Sequence, residues 1–305
     1  MYDLIGDIHG HAAALEALLS KLHYSQVDGV WRHPSRKVVF VGDYIDRGPE
    51  IRKALQIVKG MSDSGNAIAL MGNHEYNALA YAFETSDGKF LRSHNTKHNI
   101  QHQATLDQFS EYENEWEEYL EWFYSLRLFL DTGELRAIHA CWDDAHIEKL
   151  KRDGIEKMTA DLLVKSHDRY NSEYRVINDL LKGKEFNIPE QYAWHDKDGN
   201  LRSQNRIKWW KDPANASYQE FLFDCPDELK ERMIEGHIDA LIYPADAPPV
   251  FFGHYWLKDN YPVIQADNVV CLDYSIAKGG NLVAYRWDGE STLDGSHFVS
   301  VAYFE

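Results

Sequence analysis

Cysteine is scarce in this chain: three in 305 residues, at Cys141, Cys225 and Cys271. An odd count without regular spacing argues against a disulfide-stapled scaffold and for a reducing compartment. Long apolar runs are missing too. The longest, such as Lys37-Val38-Val39-Phe40-Val41, have strand length, too short to cross a bilayer as a helix. Met1-Tyr2-Asp3-Leu4-Ile5 runs straight into an expected first strand rather than reading as a basic-then-apolar leader, and the expected location is the cytoplasm. Basic residues are outnumbered, 32 Lys and Arg against 49 Asp and Glu, a formal net charge of −17. That balance speaks against a nucleic-acid surface or an anionic-membrane surface, since both need clustered cations. Repeats and low-complexity linkers are absent. The expectation is therefore one domain over residues 1–305, with residues 143–249 as an insertion that covers the active site.

Among what is present, aromatic residues stand out at 13%. The first 80 residues alternate between two periods. Tyr2 to Ile5, Val38 to Val41 and Ala67 to Met71 read as buried strands. Leu15, Leu18, Leu19 and Leu22 form a helical stripe, as do Ile51, Leu55, Val58 and Met61 after Gly48-Pro49, which predicts a helix with proline at its first position. The pattern is β-α-β-α-β, parallel strands with crossover helices. Further on, Leu106, Phe109, Trp116, Tyr119, Leu120 and Phe123 predict a packed helix with an acidic outer face. Two strands joined by a turn at Thr132-Gly133 come next, then helix over 143 to about 185. An irregular stretch with an Asp198-Gly199 hairpin turn leads to a helix near 227–238. The end returns to β structure at 250–252, 269–272, 282–285 and 298–303.

Three polar clusters sit at the carboxyl ends of the first three strands. They are Gly6-Asp7-Ile8-His9-Gly10, Gly42-Asp43-Tyr44-Ile45-Asp46-Arg47-Gly48 and Gly72-Asn73-His74-Glu75. Ligands of open α/β sheets gather outside the carboxyl ends of strands, so the three should converge. His139 and His254 each follow a further strand-like run. Imidazole nitrogens mixed with carboxylate and amide oxygens suit borderline divalent metals. Two such ions 3.5–4 Å apart can hold both oxygens of an in-line displacement at phosphorus.

The order GDxHG, GDxxDRG, GNHE, a lone His and a later Gly-His resembles the phosphoprotein-phosphatase branch of the calcineurin-like metallophosphoesterases. The resemblance implies an α/β fold, a β-sandwich flanked by helices, with a long α-rich insertion. It implies two divalent metals, manganese first, with zinc or iron as alternatives. Asp7, His9 and Asp43 would hold the first, and Asp43 would bridge to the second, completed by Asn73, His139 and His254. His74 would be the general acid, Asp46 would orient its ring, and Arg47 would clamp phosphate oxygens. The implied reaction is hydrolysis of phosphomonoesters, phosphoproteins among them, by attack of a metal-bridging hydroxide.

Met71, His11 and Ala140-Cys141-Trp142 depart from the protein-phosphatase pattern, which places the protein substrate in question more than the chemistry. Symmetrical diadenosine tetraphosphatases are related, so dinucleoside polyphosphate hydrolysis is the second reading. A catalytically inactive scaffold is the third, and the complete ligand set argues against it. The partner is then a phosphorylated small molecule or a phosphoprotein. Lys197, Arg202, Arg206, Lys208 and Lys211 form a basic island, from which Arg206 or Arg202 is expected to bind substrate while Trp209 or Trp210 lines the cleft. His94, His98 and His102 recur at i+4 and are expected to be solvated or at a pocket rim. Asp196-Lys197-Asp198-Gly199 lacks the remaining ligands of a calcium loop, and Asn215-Ala216-Ser217 carries no weight as a glycosylation site in a chain of this expected location.

Overall fold

The computed structural model describes residues 1–195, 201–234, 242–259 and 261–303, with the side chains of His195 and Arg202 excepted. Two sheets face each other. The first has the order Asp273–Tyr274, Asn281–Trp287, Tyr2–Ile5, Lys37–Phe40 and Ala67–Ala69, with Phe298–Ala302 also paired to Asn281–Trp287. The last three of that order run parallel, as the β-α-β-α-β reading requires. The second sheet runs Val269–Cys271, Val250–Phe252, Arg136–Ile138 and Phe129–Asp131.

The period-2 alternation of side chains assigns each strand residue to a layer. Leu4, Val39, Val41, Ala137, Phe251, Val270, Val283 and Tyr285 fill the space between the sheets. Their neighbours Ile5, Val38 and Phe40 turn outward, into the same cluster as Leu15, Leu18, Leu55 and Val58 of the helices Ala12–Lys21 and Ile51–Asp63. Each such side chain contributes roughly 1.5–3 kcal/mol through burial. On the other sheet Ile138, Phe252 and Cys271 pack with Ile147, Leu150 and Leu180 from helices Asp144–Arg152 and Ser172–Lys182. The architecture is the expected α/β sandwich flanked by helices.

Several local expectations are corrected. The helix after Gly48-Pro49 starts at Ile51 with Glu50 as its N-cap, so the proline lies ahead of it. The aromatic stripe belongs to two helices, Thr96–Phe109 and Glu113–Phe123, because the chain turns at Ser110 to Tyr112. Residues 143–185 contain three helices, the third being Ala160–Lys165. The stretch expected to be irregular carries paired strands, Glu185–Asn187 with Gln204–Arg206 and Trp194–His195 with Leu201–Arg202. The Asp198-Gly199 turn lies outside the described residues. In place of a helix over 227–238 there is one short 3-10 turn, Asp227–Leu229, and residues 235–238 lie outside the description.

One buried charge network fastens the first strand to its surroundings. Asp3 is fully buried and accepts from Arg36 Nε at 3.0 Å, Arg286 Nε at 2.9 Å and Tyr24 OH at 3.0 Å. No helix among the described residues is long and apolar enough to cross a membrane. All three cysteines are free and buried, and burial pushes the Cys141 thiol up, which makes it a packing residue.

Candidate active site

The three strand-end clusters do converge, and the turns that carry them are tight. His9, Asp43, Asp46, Arg47 and His254 all adopt positive φ, between 43° and 75°. Left-handed backbone costs a non-glycine residue of order 1–3 kcal/mol and persists only where the surroundings enforce it. Two glycines show how close the loops approach. A side chain at Gly72 would strike Asp43, and one at Gly253 would strike the Asp7 carboxylate.

Asp43 is the hub. His139 Nε2 lies 3.4 Å from its Oδ1, and His9 Nε2 lies 3.6 Å from its Oδ2. Ligand atoms of Asp43, His139 and His254 fall within 4.8 Å of one another, and so do those of His9, Asp43 and His74. One carboxylate is thus shared by two groupings of nitrogen and oxygen donors. Asn73 Oδ1 joins the first grouping, 3.1 Å from His139 Nε2 and 2.6 Å from His254 Nδ1. Asp7 stands just outside both groupings. Its Oδ2 accepts the backbone N–H of His254 at 3.0 Å, while its Oδ1 is buried with no hydrogen-bond partner among the described residues.

The electrostatics fit a cation site. Burial, Asp273 and Asp43 push the Asp7 carboxyl well above the usual range. Burial would raise Asp43 as well, but His139, His74, His9 and His254 outweigh it and hold that carboxyl low. His254 Nε2 is a second buried polar atom without a partner among the described residues. Buried polar groups left unpaired are costly, and here both point to donors that await a ligand. Nitrogen and oxygen donors of this mix suit manganese, zinc or iron, so the residues present fit the implied metals.

His74 stands between two carboxylates. Its Nδ1 bonds Asp46 Oδ2, leaving Nε2 toward the site, 3.9 Å from Asp43 Oδ2. Burial alone would lower the His74 pKa, but Asp43 and Asp46 overcome this and raise it. The other oxygen of Asp46 accepts from His102 Nδ1 at 2.7 Å and Thr105 Oγ1 at 2.6 Å. Of the two expectations for His102, solvated or at a pocket rim, the first is corrected: the ring is buried, borders a small cavity with His74 and holds Asp46.

Glu75 and Asp273 complete the frame. Glu75 accepts backbone N–H groups of Asp43 at 2.9 Å, Tyr44 at 2.8 Å and Gly72 at 3.0 Å, which locks the second cluster to the third. Burial and Asp43 raise its pKa to about 8, against the pull of those donors. Asp273 accepts from the backbone of Trp256 at 2.7 Å and Ser275 at 3.0 Å. Neither residue announces itself in sequence spacing, although Glu75 sits inside a quoted motif.

Arg47 is not paired with Asp46. Its Nη1 lies 2.6 Å from His9 Nε2, and its guanidinium stacks 3.9 Å above Trp256. Arg206 borders a groove of about 680 Å³ beside the site, with its Nε donating to the Lys182 carbonyl at 2.7 Å. Trp210 lines that groove, whereas Trp209 is fully buried and donates to the Ala140 carbonyl at 3.1 Å. The Arg202 side chain lies outside the described residues. A further grouping, Asp143, His146 and Asp179, is already occupied by the ammonium of Lys184 at 2.5 Å from Asp143.

The family model for calcineurin-like phosphoesterases matches residues 2–255, most of the chain. The chain belongs to that family. A symmetrical bis(5'-nucleosyl)-tetraphosphatase from Methylococcus capsulatus is 23% identical over 298 residues, covering 93% of this chain and 91% of the relative. The asymmetrical bis(5'-nucleosyl)-tetraphosphatase PrpE of Oceanobacillus iheyensis is 42% identical over 73 residues, 24% of this chain. That match spans only 29% of the length of the PrpE relative. A solved structure titled as a putative diadenosine tetraphosphatase aligns over 99% of this chain and 93% of its own, at 15% identity and a TM-score of 0.43.

Proposed function

We propose that this calcineurin-like phosphoesterase is a two-metal hydrolase of phosphomonoesters, phosphoproteins among its substrates. The observation that carries the reading is Asp43, one carboxylate shared between two groupings of metal-compatible donors, with the His74–Asp46 pair beside it. In this reading Asp7, His9 and Asp43 hold one divalent ion, and Asp43, Asn73, His139 and His254 hold the other, manganese in first place. When bound, the two ions supply a water activated for attack and positive charge against the phosphoryl oxygens.

The chain's own residues do the rest. His74 gives its Nε2 proton to the leaving oxygen as the P–O bond breaks and the electron pair stays on that oxygen. Water's oxygen forms the new bond to phosphorus, the proton that water sheds passes to solvent, and His74 regains its proton from solvent. Asp46 keeps Nδ1 engaged, so the ring presents Nε2, and stabilises the protonated imidazole. Arg47, stacked on Trp256, swings its planar fork from His9 to the phosphate oxygens, and Arg206 approaches from the groove side. Arg206, Trp210 and Phe223 of the insertion line that groove. Three free, buried thiols support a cytoplasmic setting.

The second reading, hydrolysis of a dinucleoside polyphosphate, is favoured by the tetraphosphatase relative that matches over 93% of the chain. The deciding experiment measures metal content and compares p-nitrophenyl phosphate, a phosphopeptide and diadenosine tetraphosphate side by side. Metal-free protein with full activity would overturn both readings, and a strong preference for the tetraphosphate would replace the first with the second.

A further inference from the structure

Arg47 is an exposed side chain on left-handed backbone, with a φ of 72°, and no carboxylate among the described residues lies within ion-pair distance of its guanidinium. A long side chain in that setting is free to sample many rotamers, and only a few of them would aim its fork at a phosphoryl group. Two contacts restrain it. One is His9 Nε2 at 2.6 Å, and the other is the face of Trp256, 3.9 Å from the guanidinium carbon.

The first contact is conditional. His9 Nδ1 lies 2.9 Å from the Ile45 carbonyl, which only accepts, so Nδ1 carries the ring hydrogen and Nε2 offers its lone pair to Arg47. The phosphoesterase reading gives that same lone pair to a divalent ion. Arg47 and the ion cannot both have it, whereas the indole face serves the guanidinium in either case.

The second contact is firmly built. Trp256 is half-buried, with a backbone φ of 55°, and its N–H donates to Oδ2 of the buried Asp273 at 2.7 Å. The next N–H, that of Leu257, donates to the Asp273 carbonyl at 3.0 Å, and the Leu257 carbonyl accepts from Ser275 Oγ at 3.0 Å. Asp273 Oδ1 accepts the Ser275 N–H at 3.0 Å, so the turn that carries the indole is tied to one strand end by four hydrogen bonds. A second cation, Lys278 Nζ, lies 3.8 Å from the same ring centroid. Indole is the side chain with the strongest pull on a cation, and a stacked guanidinium keeps its N–H edge free to donate.

We propose that Trp256 is a positioning residue for Arg47, holding the guanidinium plane beside the site so that its N–H edge meets phosphoryl oxygens when His9 is engaged by an ion. The inference rests on the phosphoesterase reading and adds to it a residue that acts through Arg47.

The test is a double-mutant cycle between positions 256 and 47, read calorimetrically as the affinity of manganese-loaded protein for inorganic orthophosphate, with metal content measured for each variant. Trp256→Leu should weaken orthophosphate binding by roughly 3- to 30-fold, the usual worth of such a stack, and Trp256→Phe, which keeps a smaller π face, by less. In an Arg47→Ala background Trp256→Leu should cost nothing further. Unchanged affinity in Trp256→Leu would overturn the proposal. So would a loss of equal size without Arg47, because a merely structural tryptophan exerts its effect whether or not the guanidinium is there. If Trp256→Leu does not fold or hold metal, as judged by its melting curve and metal content, Trp256→Phe carries the same cycle. Failure of the phosphoesterase reading looks different: no hydrolysis of p-nitrophenyl phosphate, with orthophosphate binding and the coupling between Trp256 and Arg47 intact.

Discussion

His74 and His102 bond opposite oxygens of one buried carboxylate, that of Asp46. A carboxylate only accepts, so both rings present Nδ1–H to it, and the tautomer of each is set by this one residue. His74 is thereby left with Nε2 turned toward Asp43, 3.9 Å from its Oδ2.

Replacing His74 with Ala should lower kcat for p-nitrophenyl phosphate by roughly 10²–10⁴-fold, the usual worth of a general acid, while metal content holds. Steady-state kinetics paired with elemental analysis checks this. An unchanged kcat would remove His74 from proton transfer.

His102→Ala should act through Asp46 rather than on substrate. The expected loss is roughly 10- to 100-fold in kcat with little change in KM, as for other residues that orient a working side chain. A positioning role also predicts partial recovery in His102→Asn, whose amide can still donate to Asp46, whereas a purely structural role would show as a lowered melting temperature without that recovery.

Removing metal with a chelator should abolish phosphoester hydrolysis, and readdition of manganese should restore it. Because Asp43 is common to both groupings, Asp43→Asn should lower metal content toward zero. His139→Ala should leave about one ion bound, since His9 and Asp7 remain. Metal analysis per chain separates these outcomes.

Asp3→Ala should destabilise the fold by about 3–5 kcal/mol, because Arg286 and Arg36 lose their shared buried carboxylate, Arg36 keeping Asp288 as its remaining acidic partner. Chemical denaturation reads this directly. A change under about 1 kcal/mol would mean that the arginines find solvent or other partners.

The metal-site candidates were legible because they sit where chain and chemistry coincide. Asp7, Asp43 and Asn73 each end a parallel strand, and strand ends of such sheets face one crevice. His139 and His254 follow strands of the second sheet, whose shared edge brings them to the same place. Residues that act through other residues were harder to see. His102 belongs to a series at i+4 that spacing alone reads as a solvated face, and only the packing of its helix turns it toward Asp46. Thr105 and Asp273 come from separate elements, and nothing local marks their convergence. The break between the helices Thr96–Phe109 and Glu113–Phe123 was hidden for a related reason, since a continuous apolar stripe carries on through a single turn.

Five residues of the site, His9, Asp43, Asp46, Arg47 and His254, occupy left-handed backbone. Glycine would relax each of them at little steric cost. Engineering for heat tolerance that scored backbone comfort alone would select these five positions first. It would produce a hardier protein with its chemistry removed.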